Sequence, residues 1–226
     1  MKRVIILVSS VLCLVSCSLC VSSKTITCKG PVEERAVLDK DFTSVEVNGG
    51  FEIEFVQGAP SPVTVKTNSD AFEYLKIYVK DNGSLVIEKK DRTNIKTDIC
   101  LISLSTQLLE NFDINGAANF KVKGGYVSEK DFSIEVNGAG KIDLSGFEVP
   151  RLDVCVNGAA KIEAKTLTVG TLSVEINGTA SAAVAGTAGK AALEVNGVGK
   201  IDASGLVCSD IKVEKNGLAK ITLPSA

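Results

Sequence analysis

Apolar residues fall at every second position in short runs along this chain, and from residue 112 onward the runs return on a fixed period. Phe112, Ile134, Val154, Val174, Leu193 and Val213 each stand two residues before Ile114, Val136, Val156, Ile176, Val195 and Lys215. Between them lie Asp113, Glu135, Cys155, Glu175, Glu194 and Glu214. Such alternation sends one face of a strand into a core and the other into water. Each run ends in Asn-Gly, at Asn115, Asn137, Asn157, Asn177, Asn196 and Asn216, spaced 22, 20, 20, 19 and 20 residues apart. A period near 20 is too short for a helical-hairpin repeat and fits one coil of a β-solenoid.

Four coils carry a lysine four residues after the Asn: Lys141, Lys161, Lys200 and Lys220. Ile142, Ile162, Ile201 and Ile221 follow, so a second short strand turns inward, and Ser145-Gly146, Gly186 and Ser204-Gly205 mark a further corner. Two or three strands per coil, stacked at about 4.8 Å, make six coils a rod roughly 25–30 Å long. Asn tolerates left-handed backbone angles, and its amide both donates and accepts. The column from Asn115 to Asn216 is therefore expected to be a ladder that satisfies the corner, with Gly easing the bend beside it.

Residues 36–107 read differently. Phe42–Val47 and Phe51–Phe55 alternate around Asn48-Gly49-Gly50 as paired strands would, and Val63–Thr67 is another strand. Ser69 or Asp70 is placed to cap a helical turn through Leu75. Lys76–Lys80 and Leu85–Lys89 flank Asp81-Asn82-Gly83-Ser84, which predicts a hairpin with a type I′ turn. Residues 91–97 read as a loop and Asp98–Ser105 as a strand. The expected fold is all-β: a parallel β-solenoid over 108–226, preceded by an irregular antiparallel portion, the two forming one domain over 36–226.

The first residues carry an address. Lys2 and Arg3 precede an apolar run from Val4 to Val15 that is too short to remain as a membrane span. It ends in Leu14-Val15-Ser16-Cys17, which resembles a bacterial lipobox. On that reading residues 1–16 are a signal peptide, Cys17 is acylated and anchors the chain in a membrane, and residues 17–35 are a tether. Ser18 in place of Asp favours the outer membrane by resemblance to lipoprotein sorting rules, with either face open.

Composition narrows the chemistry. Loss of residues 1–16 leaves 23 basic against 27 acidic residues, a net charge of −4 with no basic footprint for nucleic acid. There is no histidine. That removes imidazole acid/base catalysis, His-activated nucleophiles and imidazole-ligated zinc. With Cys17 acylated five cysteines remain, an odd number that does not suggest a disulfide framework. Cys155 is expected outward and Cys208 packed, both as free thiols. Gly138-Ala-Gly-Lys141 lacks the spacing and the Ser/Thr of a phosphate loop. No cofactor and no metal is called for.

Stacked coils would bring Glu175 and Glu194 about 5 Å apart, near the carboxylate separation of a retaining glycosidase. Against a saccharide site, Phe147 is the only aromatic residue after Phe132. The leading expectation is a non-enzymatic envelope lipoprotein binding an unidentified protein or glycan partner. Its candidate face comprises Glu135, Glu175, Glu194 and Glu214 with Lys141, Lys161, Lys200 and Lys220. The alternatives are a carbohydrate-active β-helix enzyme using the stacked glutamates and a purely structural envelope domain.

The run Val136-Asn-Gly-Ala-Gly-Lys-Ile-Asp143, echoed at 156–163 and 195–202, resembles the head-GIN domain family of auto-transporter adhesins. The Phe51–Gly58 strand, the Phe72–Leu75 turn and the Asp81–Ser84 hairpin agree with it, so the resemblance covers about residues 36–223. It implies a right-handed parallel β-helix with a more irregular N-terminal portion, in secreted or lipid-anchored proteins of Bacteroidetes-type bacteria. It brings no catalytic residues. The chain departs from the family in having little beyond Leu223-Pro224 to cap the final coil.

Overall fold

The computed structural model describes residues 25–90 and 93–225; the proposed signal peptide and Cys17 lie outside them. Among the described residues the strands are β1 (Thr25–Thr27), β2 (Val32–Leu38), β3 (Ser44–Asn48), β4 (Phe51–Gln57), β5 (Val63–Asn68), β6 (Leu75–Val79), β7 (Ser84–Lys89) and β8 (Asn94–Lys96). They continue as β9 (Cys100–Thr106), β10 (Asn111–Lys123), β11 (Tyr126–Val127), β12 (Phe132–Asp143), β13 (Phe147–Val156), β14 (Ala159–Ile176), β15 (Ser181–Gly197), β16 (Lys200–Gly217) and β17 (Lys220–Thr222). A 3-10 turn spans Ser69–Tyr74.

The chain winds as a β-solenoid of about six turns. Within the coils each strand pairs in parallel with its counterpart one turn on, and three faces result. The first face stacks residues 84–88, 44–48, 111–115, 133–137, 152–156, 172–176, 191–195 and 211–215. The second stacks 51–56, 118–123, 139–143, 159–163, 181–183, 200–202 and 220–222. The third, shorter at its start, stacks 126–127, 147–149, 167–169, 186–188 and 205–208. The Asn-Gly corner joins the first face to the second.

The inward residues of all three faces make one continuous core. Its filling changes along the axis. Early coils are packed with Phe55, Phe112, Phe120, Tyr126, Phe132 and Phe147, all essentially buried, and Phe112 stacks on Phe120 at 3.8 Å between ring centroids. Later coils use Ala182, Val184, Ala188, Ala191 and Leu193. The 22-residue coil between Asn115 and Asn137 encloses the aromatic cluster, and the 19- and 20-residue coils enclose the small residues. Tyr126 keeps its hydroxyl satisfied at the centre: it donates to the Leu109 carbonyl at 2.6 Å and accepts the Leu109 N–H at 2.9 Å.

The antiparallel pairing expected of the N-terminal portion is present. β6 lies antiparallel on β7, and β2, β5 and β9 extend the second face beyond β4. Five local expectations need correction, the first being that the expected 91–97 loop contains a strand, β8, which pairs in parallel with β1. Asn48-Gly49 is not a hairpin turn but the first Asn-Gly corner, because β3 and β4 both pair in parallel with β10. From residue 25 on, the expected tether is folded: β1 pairs with β8, and β2 covers β5. The Asp81–Ser84 hairpin closes with Gly83 N–H on the Lys80 carbonyl, and only Gly83 takes a positive φ, of 80°. That is a type I turn with a glycine bulge, not type I′. Neither Ser69 nor Asp70 caps the 3-10 turn, which starts after Asn68 without a side-chain cap. Asp70 instead accepts the N–H groups of Lys29 at 2.9 Å and Gly30 at 3.1 Å, which hold its carboxyl below the usual range.

Candidate binding surface

The corner is held by a continuous side-chain ladder. Each Asn donates its Nδ2 to the Oδ1 of the Asn one coil earlier: Asn115 to Asn48 and Asn137 to Asn115, both at 3.2 Å, then Asn157 to Asn137 at 2.9 Å. Asn177 to Asn157, Asn196 to Asn177 and Asn216 to Asn196 follow at 3.0, 2.9 and 2.8 Å. All the bonds run in one direction, so their dipoles align and each polarises the next.

Residues two apart on a strand share a face, and this gives the acid column its role. Asn48, the first of the ladder, donates its Nδ2 to Glu46 at 2.8 Å, and the second Nδ2 proton of Asn177 and of Asn196 goes to Glu175 and Glu194 at 2.6 and 2.7 Å. Where Cys155 replaces the acid, Asn157 reaches back to Glu135 at 3.2 Å. These carboxylates orient the ladder amides. The Cys155 thiol is pushed up by burial and then by Glu175 and Glu135, which makes it a poor nucleophile. Cys208 is half-buried and packs against the edge of the core, in the column of buried Ala188.

Asp113 is one methylene short in this column. Burial, then Glu135 and Glu46, raise its carboxyl above the ordinary value of 3.8. A raised acid pKa means that stability falls as pH rises from the unfolded value through the folded one. Asp113→Asn is therefore expected to raise stability at pH 7, by at most about 1 kcal/mol after solvent screening. Urea unfolding at pH 7 and pH 3 should show the gain at the first and its disappearance at the second.

The Lys column lies beyond the corner, on the second face. The eight residues of the candidate face therefore occupy two faces that flank the Asn ladder, not one surface. Lys161 pairs with Glu163 at 2.6 Å and Lys200 with Asp202 at 3.2 Å. Lys121 and Lys141 have no ion-pair partner among the described residues.

Around Lys141 the second face is concave. A groove of about 320 Å³ has Leu101, Glu52 and Glu54 along one side and Lys141, Lys161 and Glu163 along the other, with Asn119, Lys121 and Asp143 between. Its donors and acceptors alternate over lysine stems and Leu101, a lining suited to a polar partner with short apolar stretches. Sequence reasoning found Lys141 and Lys161 and missed the rest. Counting four residues on from Asn48 and Asn115 gives Glu52 and Asn119, so aligning Asn48 as the first coil would have placed both in the lysine column. Among the described residues no three His, Cys, Asp or Glu side chains are grouped to hold a metal ion.

Comparison with known proteins agrees with this architecture. A family model described as "putative auto-transporter adhesin, head GIN domain" matches residues 41–225. A solved "putative adhesin" from Parabacteroides distasonis superposes with a TM-score of 0.76 at 22% identity, covering 88% of this chain and 84% of that one. A "putative adhesin" from Bacteroides fragilis gives 0.72 at 16% identity, covering 87% and 98%. A "putative lipid binding protein" from Parabacteroides distasonis gives 0.65 at 18% identity, covering 88% and 100%. These identities establish a shared fold. No curated protein matches the sequence. The ladder, the three-faced coil and the match over most of its length place this chain in the head-GIN domain family.

Proposed function

We propose that the chain is a non-enzymatic cell-envelope lipoprotein, anchored through Cys17, whose solenoid is a surface-binding module of the adhesin kind. The carrying observation is the commitment of Glu175 and Glu194 to their own ladder asparagines at 2.6 and 2.7 Å. A carboxylate that must accept an amide N–H to hold the fold is ill suited to protonate a leaving group or attack a sugar. The reading further rests on the family's description as an adhesin and on the lipobox-like Leu14–Cys17. The groove around Lys141, with its mixed charges and apolar stems, is the surface proposed to meet the external partner.

The test is anchoring and exposure together. A labelled fatty acid fed to cells is expected to enter the wild-type protein and not Cys17→Ser. Protease added to intact cells is expected to digest the solenoid. Labelling that survives Cys17→Ser removes the anchor. A protein fully protected on intact cells, yet digested once the outer membrane is opened, removes the adhesin role and leaves the structural one.

A further inference from the structure

The two ends of the solenoid differ. At the first, β6 lies antiparallel over β7 and the β9, β5 and β2 strands continue the second face, so a further coil has no parallel template there. At the other end the last strands pair on one side only, among the described residues: 205–208 and 211–215 with β15, and β17 with β16. Ile211, Val213 and Ile221, which continue core columns, are only partly covered there. The residue after Asn-Gly is Ala117, Ala139, Ala159 and Thr179 in inner coils but Val198 and Leu218 in the last two. Of the eight exposed large apolar residues among the described ones, four lie at this end: Val198 (54%), Val207 (69%), Leu218 (82%) and Leu223 (42%). Open strand edges with apolar residues gathered around them mark an association surface.

The edge strand also says what fits it. Outward-facing Lys212 and Glu214 straddle Val213 and pair with each other along the strand. Laid antiparallel on a second copy of itself about Val213, this strand sets each Lys212 opposite the Glu214 of the other copy, twice over. Cross-strand pairs of opposite charge favour that register. Lys215 rules out the other mode. It stands in the column of Ile114, Val136, Val156, Ile176 and Val195, so a parallel coil stacked on it would bury its ammonium; an inward charge on an edge blocks open-ended growth. In the antiparallel register Lys215 stands opposite Ile211 of the other copy, at the end of the paired segment next to the Asn216 corner, where its long stem lets the ammonium reach water.

We infer that the C-terminal edge docks a second copy of this chain, tail to tail about a twofold axis through Val213. The entry strands of the two copies then point in opposite directions. Resting on the adhesin reading, the partner that this edge meets is the same protein on an opposing surface, and the dimer joins two membranes.

The test uses the processed chain, residue 17 onward, with Cys17→Ser so that no lipid contributes; it contains every described residue. Sedimentation velocity is expected to show a concentration-dependent dimer. Lys212→Glu sets like charges opposite each other twice and is expected to weaken the dimer about tenfold. Lys212→Glu with Glu214→Lys restores the pairing and is expected to restore the dimer, a rescue that a folding defect would not give. A monomer at every concentration, a dimer indifferent to Lys212→Glu, or growth into longer assemblies overturns the inference. Liposomes coated with the N-terminally tethered chain are expected to cluster, and Lys212→Glu to disperse them. A charge-sensitive dimer without clustering sinks the adhesin reading and leaves the dimer standing; binding to foreign surfaces by a strict monomer does the reverse.

Discussion

Gly138→Ala is expected to destabilise the solenoid by about 3 kcal/mol or more, among the largest effects of any single methyl group in this chain. A Cβ at residue 138 would press into the carbonyl of Gly116 one coil earlier, well inside contact distance. The obstacle is backbone, and the backbone of a parallel ladder cannot give locally without lengthening the bonds on either side of the corner. The same column repeats at Gly158, Gly178, Gly197 and Gly217, each of which would meet the glycine before it. The gain in unfolded-state rigidity from Gly to Ala, about 0.4–1 kcal/mol, does not offset this. Gly58→Ala is the control: the nearest atom to its added Cβ is Ser105 Oγ at 3.5 Å, an ordinary contact. Urea unfolding of the two variants should separate them clearly, with Gly58→Ala within about 0.5 kcal/mol of wild type.

The second large effect concerns the asparagines. Asn157 sits mid-ladder, donating to Asn137 and Glu135 and accepting from Asn177. Asn157→Ala removes these three bonds and a long one from the Cys155 thiol at 3.8 Å; at about 1 kcal/mol for each of the three in a partly wet setting the loss is expected to be about 2–3 kcal/mol. Asn216 closes the ladder with its single bond to Asn196, so Asn216→Ala is expected to cost about 1 kcal/mol or less. A binding role for the asparagine column would show no such dependence on position in the ladder.

What was legible in the sequence follows from how strictly each feature is dictated. The corner accepts little but Asn-Gly, since glycine alone clears the stacked carbonyl, and so the repeat showed at six successive corners. The first corner was hidden. Asn48 and Asn115 are adjacent in the ladder but 67 residues apart in sequence, because β5 to β9 are inserted between them. Without its neighbour at the repeat distance, Asn48-Gly49 looked like a hairpin. The turn at Asp81–Gly83 was misread because Asp, Asn and Gly suit both type I′ and a type I turn with a glycine bulge. The groove was only half visible, since Glu52, Glu54 and Leu101 come from the non-repeating part and meet Lys141 only after the coils stack. The acid column lies on the outer side of the strand, half-buried at Asp113, Glu175 and Glu194. Its service to the ladder needed one further step, that Glu175 and Asn177 share a strand face.

The Asn-Gly corner holds together as a mechanically coupled column, not as a row of independent polar residues. A double-mutant cycle on Asn157→Ala and Asn177→Ala, read by urea unfolding, tests this directly, because the two side chains share one bond of 3.0 Å. The double variant is expected to lose less stability than the sum of the singles, by about 0.5–1 kcal/mol or more. Strict additivity, within about 0.3 kcal/mol, or single variants as stable as wild type would contradict it.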